Sequence, residues 1–438
     1  MVKFSVSGLR GVVGAQLSCL DFMQTANSYT RFMKASKTLV ARDARLTGNM
    51  IAGAVKAGVL AAGAKVVDAG MVTTPTAVFA TRESSSDSGL VVTASHNPAQ
   101  ENGLKFLEQG RFLPPRKTDE FISFSKSGEF YQIDAEKVSS VEEFDAISSH
   151  CESVVKLMAG ERSEPSLKVG LDPVNGAAGP EALRILEKMG CEVYTVNQEP
   201  HGRFGRGTEP VPENLTELKS LVADKGLDIG FAFDPDGDRL AFVDERGRAP
   251  GEEYTVPLCA RWVLEKKGGD VVVNLSTSRL IDYVASEKGF TVHRTPVGEA
   301  HVVDRMGKTS ASCGGEGNGG FILPDFNATR DGLLAMAILV ALRRKEGSLA
   351  DLVDALPGLY RRKAKFKIPW SERLARTTAD LFPRARTDTS DGLWISEEDF
   401  WLHLRPSNTE PVVRLMLEAN SEARAENILK EVEKKCVE

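Results

Sequence analysis

The side chains of this chain best suited to chemistry sit in a few short loops. Ser95 lies in Thr93-Ala94-Ser95-His96-Asn97-Pro98, directly after the apolar run Gly89-Leu90-Val91-Val92. A serine in a tight turn at the end of a buried strand is expected to be presented to solvent, and Pro98 keeps the strand from continuing. His96 beside it and Lys105 a short way downstream would suit a serine that carries a phosphoryl group. Taken alone, the segment reads equally as an ordinary strand-to-loop turn.

A second loop tilts that balance. Asp234, Asp236 and Asp238 alternate in Phe233-Asp234-Pro235-Asp236-Gly237-Asp238-Arg239. Three carboxylates this close repel one another, and such a cluster persists where a cation neutralises it. Oxygen-only ligands select a hard ion, so Mg²⁺ is the expected metal. A calcium-binding EF-hand would also use these aspartates as its first ligands, with Glu245 at its last position. Two features oppose it: Arg239 stands where that loop needs glycine, and the flanks read as strands rather than helices.

Two further loops could hold a ligand. Gly314-Gly315-Glu316-Gly317-Asn318-Gly319-Gly320 would let the backbone approach a ligand closely while offering one carboxylate and one amide. Glu316 could accept hydrogen bonds from sugar hydroxyls. Near the C-terminus, Arg405-Pro406-Ser407-Asn408-Thr409-Glu410-Pro411 precedes Val412-Val413-Arg414. Two guanidinium forks with small hydroxyl and amide donors make a good phosphate site. Each loop alone could also be a polar or flexible surface turn.

These loops must be carried by regular elements, and the pattern alternates between strand and helix. Residues 37–43 read as a strand, 48–62 as a helix with apolar Ile51, Val55, Val59 and Leu60, and 64–68 as a strand. The cycle repeats as strand 167–172, helix 180–189 and strand 192–196, and again as strand 270–275, helix 278–288 and strand 291–293. Such repetition implies mixed or parallel sheets covered by helices. The expected organisation is three similar mixed-sheet α/β domains, 1–155, 156–252 and 253–363. A smaller α+β domain, 364–438, ends on an amphipathic helix over 422–435. Linkers are expected at 160–165 and 248–251.

At 438 residues the chain exceeds one ordinary domain, and its 42% hydrophobic content is that of a globular protein. A net charge of −6 provides no basic footprint for nucleic acid, so an anionic ligand must be held by local arginines and lysines. The six cysteines are scattered without close pairs, as expected of reduced core thiols in a cytoplasmic protein. The opening residues read as no signal peptide, and no apolar run is long enough to span a membrane.

The loops, in this order, resemble those of the α-D-phosphohexomutase superfamily, which includes phosphoglucomutase, phosphomannomutase and phosphoglucosamine mutase. Ser7-Gly8-Leu9-Arg10-Gly11 looks like the family's N-terminal loop, 93–98 its phosphoserine loop and 234–239 its metal loop. Residues 315–320 look like its sugar loop, and 405–411 its phosphate loop. Residues 201–214 and 295–298 also look like family segments. The resemblance covers nearly the whole chain and implies four domains, each placing one loop in a central cleft. It implies that Ser95 is phosphorylated, and that Asp234, Asp236 and Asp238 hold Mg²⁺ together with a phosphate oxygen on Ser95. Arg10, His96, Lys105 and Arg239 would surround the transferring phosphoryl group, with Lys105 or His96 as the base. Arg405, Ser407, Asn408, Thr409 and Arg414 would hold the substrate's other phosphate, and Glu316 and Asn318 the sugar hydroxyls.

The implied activity is interconversion of hexose 1-phosphate and hexose 6-phosphate through a hexose 1,6-bisphosphate, which also serves as activator. Many bacterial members read Gly-Glu-x-Ser-Gly-His in the sugar loop; here Asn318 replaces the serine and Gly320 the histidine. That departure looks more like archaeal-type phosphoglucosamine and phosphoglucose mutases; the expected enzyme is phosphoglucosamine mutase, with phosphomannomutase or phosphoglucomutase as the alternative. A serine-dependent metal phosphatase and a non-catalytic sugar-phosphate sensor are the readings outside this class. The expected partner is a small-molecule hexose phosphate, with neither nucleic acid nor membrane; the oligomeric state is left open.

Overall fold

A computed structural model describes residues 4–5, 8–126, 128–161, 165–407 and 412–437, the side chains of Phe4, Ser5 and Val437 excepted. Four sheets follow one another along the chain. In the second, Lys168–Asp172 pairs in parallel with Glu192–Thr195 on one side and Ile229–Phe233 on the other; Leu240–Val243 then adds antiparallel. The third repeats this order with Val271–Asn274 between Val292–Thr295 and Cys313–Glu316, closed by antiparallel Gly320–Ile322. The first contains it too: Lys37–Arg42 lies between Lys65–Met71 and Ser88–Val92, and Glu101–Glu108 returns antiparallel. The Ser95 loop, the aspartate loop and the glycine-rich loop therefore occupy the same topological position in three units. Each is the turn from the last parallel strand into the antiparallel one.

The helices cover these sheets as their patterns require. In Gly48–Ala61, Ile51, Val55 and Val59 share one buried face. The helix Gly332–Glu346 is apolar all round and correspondingly buried from Leu333 to Leu342. It lies in a single hydrophobic core shared by the second and third sheets. The expected linker at 248–251 is accordingly no free tether: Arg248 pairs with Asp244 at 2.8 Å and with Asp354 at 2.9 Å. Of the other expected linker, residues 162–164 lie outside the described residues.

The fourth sheet is wholly antiparallel and carries the C-terminal helix Glu422–Val437. It begins at Tyr360, ahead of the expected change near Ala364, because all of Tyr360–Phe366 pairs with Val413–Ala419. A boundary between 363 and 364 would cut that strand. Glu418 docks this sheet on the third unit. Its carboxylate accepts hydrogen bonds from Ser278 Oγ at 2.7 Å and Arg279 N at 2.9 Å, and from Arg361 Nε and Trp401 Nε1, both at 2.8 Å. All six cysteines are free thiols, five of them buried. Among the described residues no helix is long and apolar enough to cross a membrane.

Candidate functional site

The loops of all four units line one cleft of about 640 Å³. Ser95 sits in it, but not on an exposed turn as expected: the residue is 1% exposed. The burial has a local cause. Arg45, which the sequence reading passed over, donates to the carbonyls of Ser95 (2.6 Å), Asn97 (2.7 Å), Pro98 (2.6 Å) and Glu101 (2.8 Å). It draws the whole turn inward. Arg45 Nε is itself paired with Asp43 at 3.1 Å. Asp43 accepts from Thr93 Oγ1 at 2.6 Å, and Thr93 Oγ1 accepts the Ser95 N–H at 2.9 Å. Ser95 adopts φ 52°, a left-handed conformation that costs a serine free energy and persists only where its surroundings hold it. These contacts are that hold.

Ser95 Oγ lies 3.5 Å from Asp234 Oδ2 and 3.4 Å from His96 Nδ1. The three aspartates are fully buried, with one oxygen of each within 4.8 Å of the others. The protein engages only part of them. Asp236 Oδ2 accepts from Thr74 Oγ1 at 2.6 Å and Lys105 Nζ at 2.7 Å. Asp238 Oδ2 accepts from Lys105 Nζ at 3.2 Å and from Arg330 at 2.6 Å. The second oxygens, Asp236 Oδ1 and Asp238 Oδ1, are buried without a hydrogen-bond partner. Buried orphan carboxylate oxygens converging in this way fit a hard divalent cation. Burial and the charges of Asp238 and Asp236 push the Asp234 carboxyl well above its ordinary range. Glu245 is elsewhere: it accepts from Ser348 Oγ and Ala350 N at the start of the helix Leu349–Asp354, and the EF-hand falls with it.

Cations ring this acidic centre. Arg239 donates to His96 Nδ1 at 2.7 Å and pairs with Glu209 at 3.2 Å. Its guanidinium, with burial and Arg10, holds the His96 imidazole well below its ordinary pKa. Burial alone would lower the Lys105 ammonium, but Asp236 and Asp238 outweigh it and raise its pKa. Arg10 lines the same cleft, with Nη1 3.5 Å from Asn97 Oδ1. Thr208, in the segment 201–214, donates to the His96 carbonyl.

The glycine-rich stretch is not a flexible loop. Gly314, Gly315 and Glu316 belong to a strand, and the glycines admit the protein's own backbone rather than a ligand. A Cβ on Gly314 would lie 2.1 Å from the Val272 carbonyl oxygen, and one on Gly319 2.3 Å from that of Leu240. Glu316 accepts from Asn274 Nδ2 at 2.7 Å, from Gly298 N at 3.0 Å and from Arg330 Nη1 at 3.0 Å. Asn318 lines the cleft, and its Oδ1 is buried without a partner.

From the fourth sheet, which also lines the cleft, Arg405 stands directly opposite Arg414, and Arg414 opposite Lys365, across three antiparallel strands. Like charges in cross-strand register repel, so this row is suited to an anion. Ser407 lines the same cleft, and its N–H closes the loop onto the Val412 carbonyl at 2.9 Å. Asn408 and Thr409 lie outside the described residues, as does Ser7 of the N-terminal loop. Sequence reasoning missed Lys365, Arg330 and also His403, which meets Ser276 Oγ at 2.8 Å within the cleft. None stands in a motif; strand pairing brings in Lys365 and His403, and Arg330 enters from the segment between Gly320–Ile322 and the helix Gly332–Glu346.

Comparison with known proteins agrees with this geometry. Models of the phosphoglucomutase/phosphomannomutase family match in succession: alpha/beta/alpha domain I over residues 1–132, domain II over 147–247, domain III over 251–360 and the C-terminal domain over 339–435. A protein of Methanopyrus kandleri named "Probable phosphoglucosamine mutase" is 34% identical, covering 99% of this chain and 98% of its own. A "Phosphoglucomutase/phosphomannomutase" of Thermococcus kodakarensis is 33% identical, covering 97% and 96%. A crystal structure of a phosphoglucomutase/phosphomannomutase family protein from Burkholderia thailandensis superposes with a TM-score of 0.88 at 28% identity, covering 99% and 98%. With four domain models in order and relatives aligned end to end, the chain belongs to the phosphoglucomutase/phosphomannomutase family of metal-dependent α-D-phosphohexomutases, isomerases that move phosphate within a hexose.

Proposed function

We propose that this enzyme interconverts the 1-phosphate and 6-phosphate of a hexose through phospho-Ser95 and a hexose 1,6-bisphosphate, with Mg²⁺ as its cation and glucosamine phosphate as its substrate. The observation that carries the reading is the pairing of two anion sites in one cleft. Ser95 stands against Asp234 in the first two units, and the row Lys365, Arg414 and Arg405 of the fourth unit lines the same cleft. Hydrolysis at Ser95 needs no second phosphate site; exchange of the two ends of a sugar bisphosphate does.

In the forward step a sugar hydroxyl oxygen attacks the phosphorus of phospho-Ser95. The P–Oγ bond breaks as the new P–O bond forms, and His96, kept neutral by the Arg239 guanidinium, takes the hydroxyl proton. Lys105, held as an ammonium by Asp236 and Asp238, adds positive charge beside the phosphoryl oxygens. The bisphosphate turns over, and its other phosphoryl group returns to Ser95. Asp234, Asp236 and Asp238, with a phosphate oxygen on Ser95, would hold Mg²⁺, which when bound neutralises charge on the transferring phosphoryl group. Arg10 and Arg239 add fixed positive charge beside the same oxygens. Arg405, Arg414 and Ser407, with Asn408 and Thr409, grip the phosphate that is not transferring. Asn318, whose Oδ1 is buried without a partner, and Glu316 read the hydroxyls. The units assigned to these tasks are 1–155, 156–252, 253–363 and 364–438, with Tyr360–Phe366 moved whole into the last.

The name of the Methanopyrus kandleri relative supports glucosamine phosphate; that of the Thermococcus kodakarensis relative keeps glucose and mannose phosphates as the second reading. The test is bisphosphate-primed isomerisation of the three 1-phosphates at equal concentration, with phosphate release followed alongside. Glucosamine 1-phosphate should turn over fastest, and intact mass should place one phosphate on Ser95. Ser95→Ala should lose that phosphate and about a hundredfold or more in rate. Phosphate release without isomerisation would instead indicate a serine-dependent metal phosphatase, and binding without turnover a sensor.

A further inference from the structure

Position 320 carries glycine because of a residue across the site. A Cβ on Gly320 would stand 2.3 Å from Arg330 Cδ and 2.8 Å from Arg330 Cγ. A surface arginine would swing aside, but Arg330 is 8% exposed and held by three carboxylates. Its Nε meets Glu299 at 3.1 Å, Nη1 meets Glu316 at 3.0 Å and Nη2 meets Asp238 at 2.6 Å. Glu299 is in turn fixed by Thr329 Oγ1 and by the Arg330 N–H at 2.8 Å. Two of these carboxylates belong to different functional loops, Asp238 to the metal loop and Glu316 to the sugar loop.

The consequence is geometric. Arg330 and Lys105 share Asp238 Oδ2, leaving Asp238 Oδ1 as the orphan that can face a cation. The same guanidinium occupies Glu316 Oε2, while Asn274 and Gly298 occupy Oε1. One rigid fork thus sets the orientation of a metal-site carboxylate and of a sugar-site carboxylate together. A fork of fixed planar geometry can do this; a single ammonium cannot.

We propose that Arg330 is a positioning residue that locks the metal loop and the sugar loop into one constellation, and that Gly320 and Arg330 form an either-or pair. The stem of Arg330 fills the space that any side chain at position 320 would need. The proposal rests on the mutase reading for the identity of the two loops.

The experiment measures Mg²⁺ affinity of the metal-stripped full-length protein by calorimetry, beside kcat and KM for the hexose phosphates. Arg330→Lys keeps the charge and loses the fork. Its Mg²⁺ Kd should weaken by about tenfold or more, the usual effect of removing a partner that orients a metal ligand. Gly320→Ala introduces one methyl group whose nearest neighbours are the Arg330 stem carbons, and it should weaken Mg²⁺ binding comparably by displacing that stem. In an Arg330→Ala background, Gly320→Ala should change nothing further, because the stem is gone. Wild-type Mg²⁺ affinity in Arg330→Lys or in Gly320→Ala overturns the proposal, as do additive effects in the double variant. Should Arg330→Ala fail to fold, the two single variants still decide. A wild-type protein that isomerises no hexose phosphate would refute the mutase reading instead, while the Mg²⁺ titrations would still judge the coupling.

Discussion

Arg45→Lys tests how Ser95 is held. Arg45 makes five hydrogen bonds, to Asp43, Ser95, Asn97, Pro98 and Glu101. A lysine ammonium has three donors, so at least two of these acceptors lose their partner. A buried acceptor left unsatisfied costs about 1–3 kcal/mol, which puts the loss on the order of 3 kcal/mol. At about 2–4 °C per kcal/mol for a unit of this size, the first unit should melt roughly 6–12 °C lower in calorimetry. The same change releases the left-handed turn at Ser95. A displacement of about 1 Å there is worth on the order of a hundredfold in rate, so kcat should fall by about that factor in the bisphosphate-primed assay. KM should change much less, because the row of cations on the fourth sheet is untouched. A variant with wild-type melting and wild-type kcat would refute the claim that Arg45 sets the serine loop.

Three further outcomes follow from the site. Mg²⁺ at about a hundred times its Kd should raise the stability of the wild-type protein by roughly 2.7 kcal/mol, and Asp236→Asn should abolish that rise in a thermal titration while leaving a cooperative transition. Arg414→Ala should raise KM for every accepted hexose phosphate by a similar factor, about tenfold for a loss of roughly 1.5 kcal/mol, whereas Glu316→Gln should reorder the sugars; the three-sugar panel shows whether the two effects are exchanged. Burial would push the Glu418 carboxyl up, but Arg361, Ser278 Oγ and the Arg279 N–H outweigh it and hold its pKa below the ordinary 4.5. Its docking contribution is therefore complete above about pH 4.5 and is lost as pH falls through the depressed value. Limited proteolysis across this range should show the C-terminal unit loosening in acid, and Glu418→Gln should remove that acid dependence.

The sequence by itself determined the loops and the elements that carry them. Alternation of short apolar runs with amphipathic helices placed strands such as Lys37–Arg42 and Val271–Asn274 to within a residue or two, because each needs only its own side-chain period. The alternating carboxylates of Asp234, Asp236 and Asp238 declared a cation site, since charge repulsion at that spacing is a local fact. Other features depend on partners distant in the chain. Ser95 read as exposed because nothing near it in sequence shows that Arg45, fifty positions away, buries its loop. The glycines of 314–320 read as ligand-facing, yet the backbones of Val272 and Leu240 are what exclude a side chain at Gly314 and Gly319. Lys365 joined the cation row of Arg405 and Arg414 only through pairing of Tyr360–Phe366 with Val413–Ala419. Arg330 meets Asp238, Glu299 and Glu316 only when the second and third units share one core. Local periodicity and local charge are properties of a segment. Burial, cross-strand register and the convergence of three carboxylates on one guanidinium are properties of packing, and only the tertiary structure could decide them.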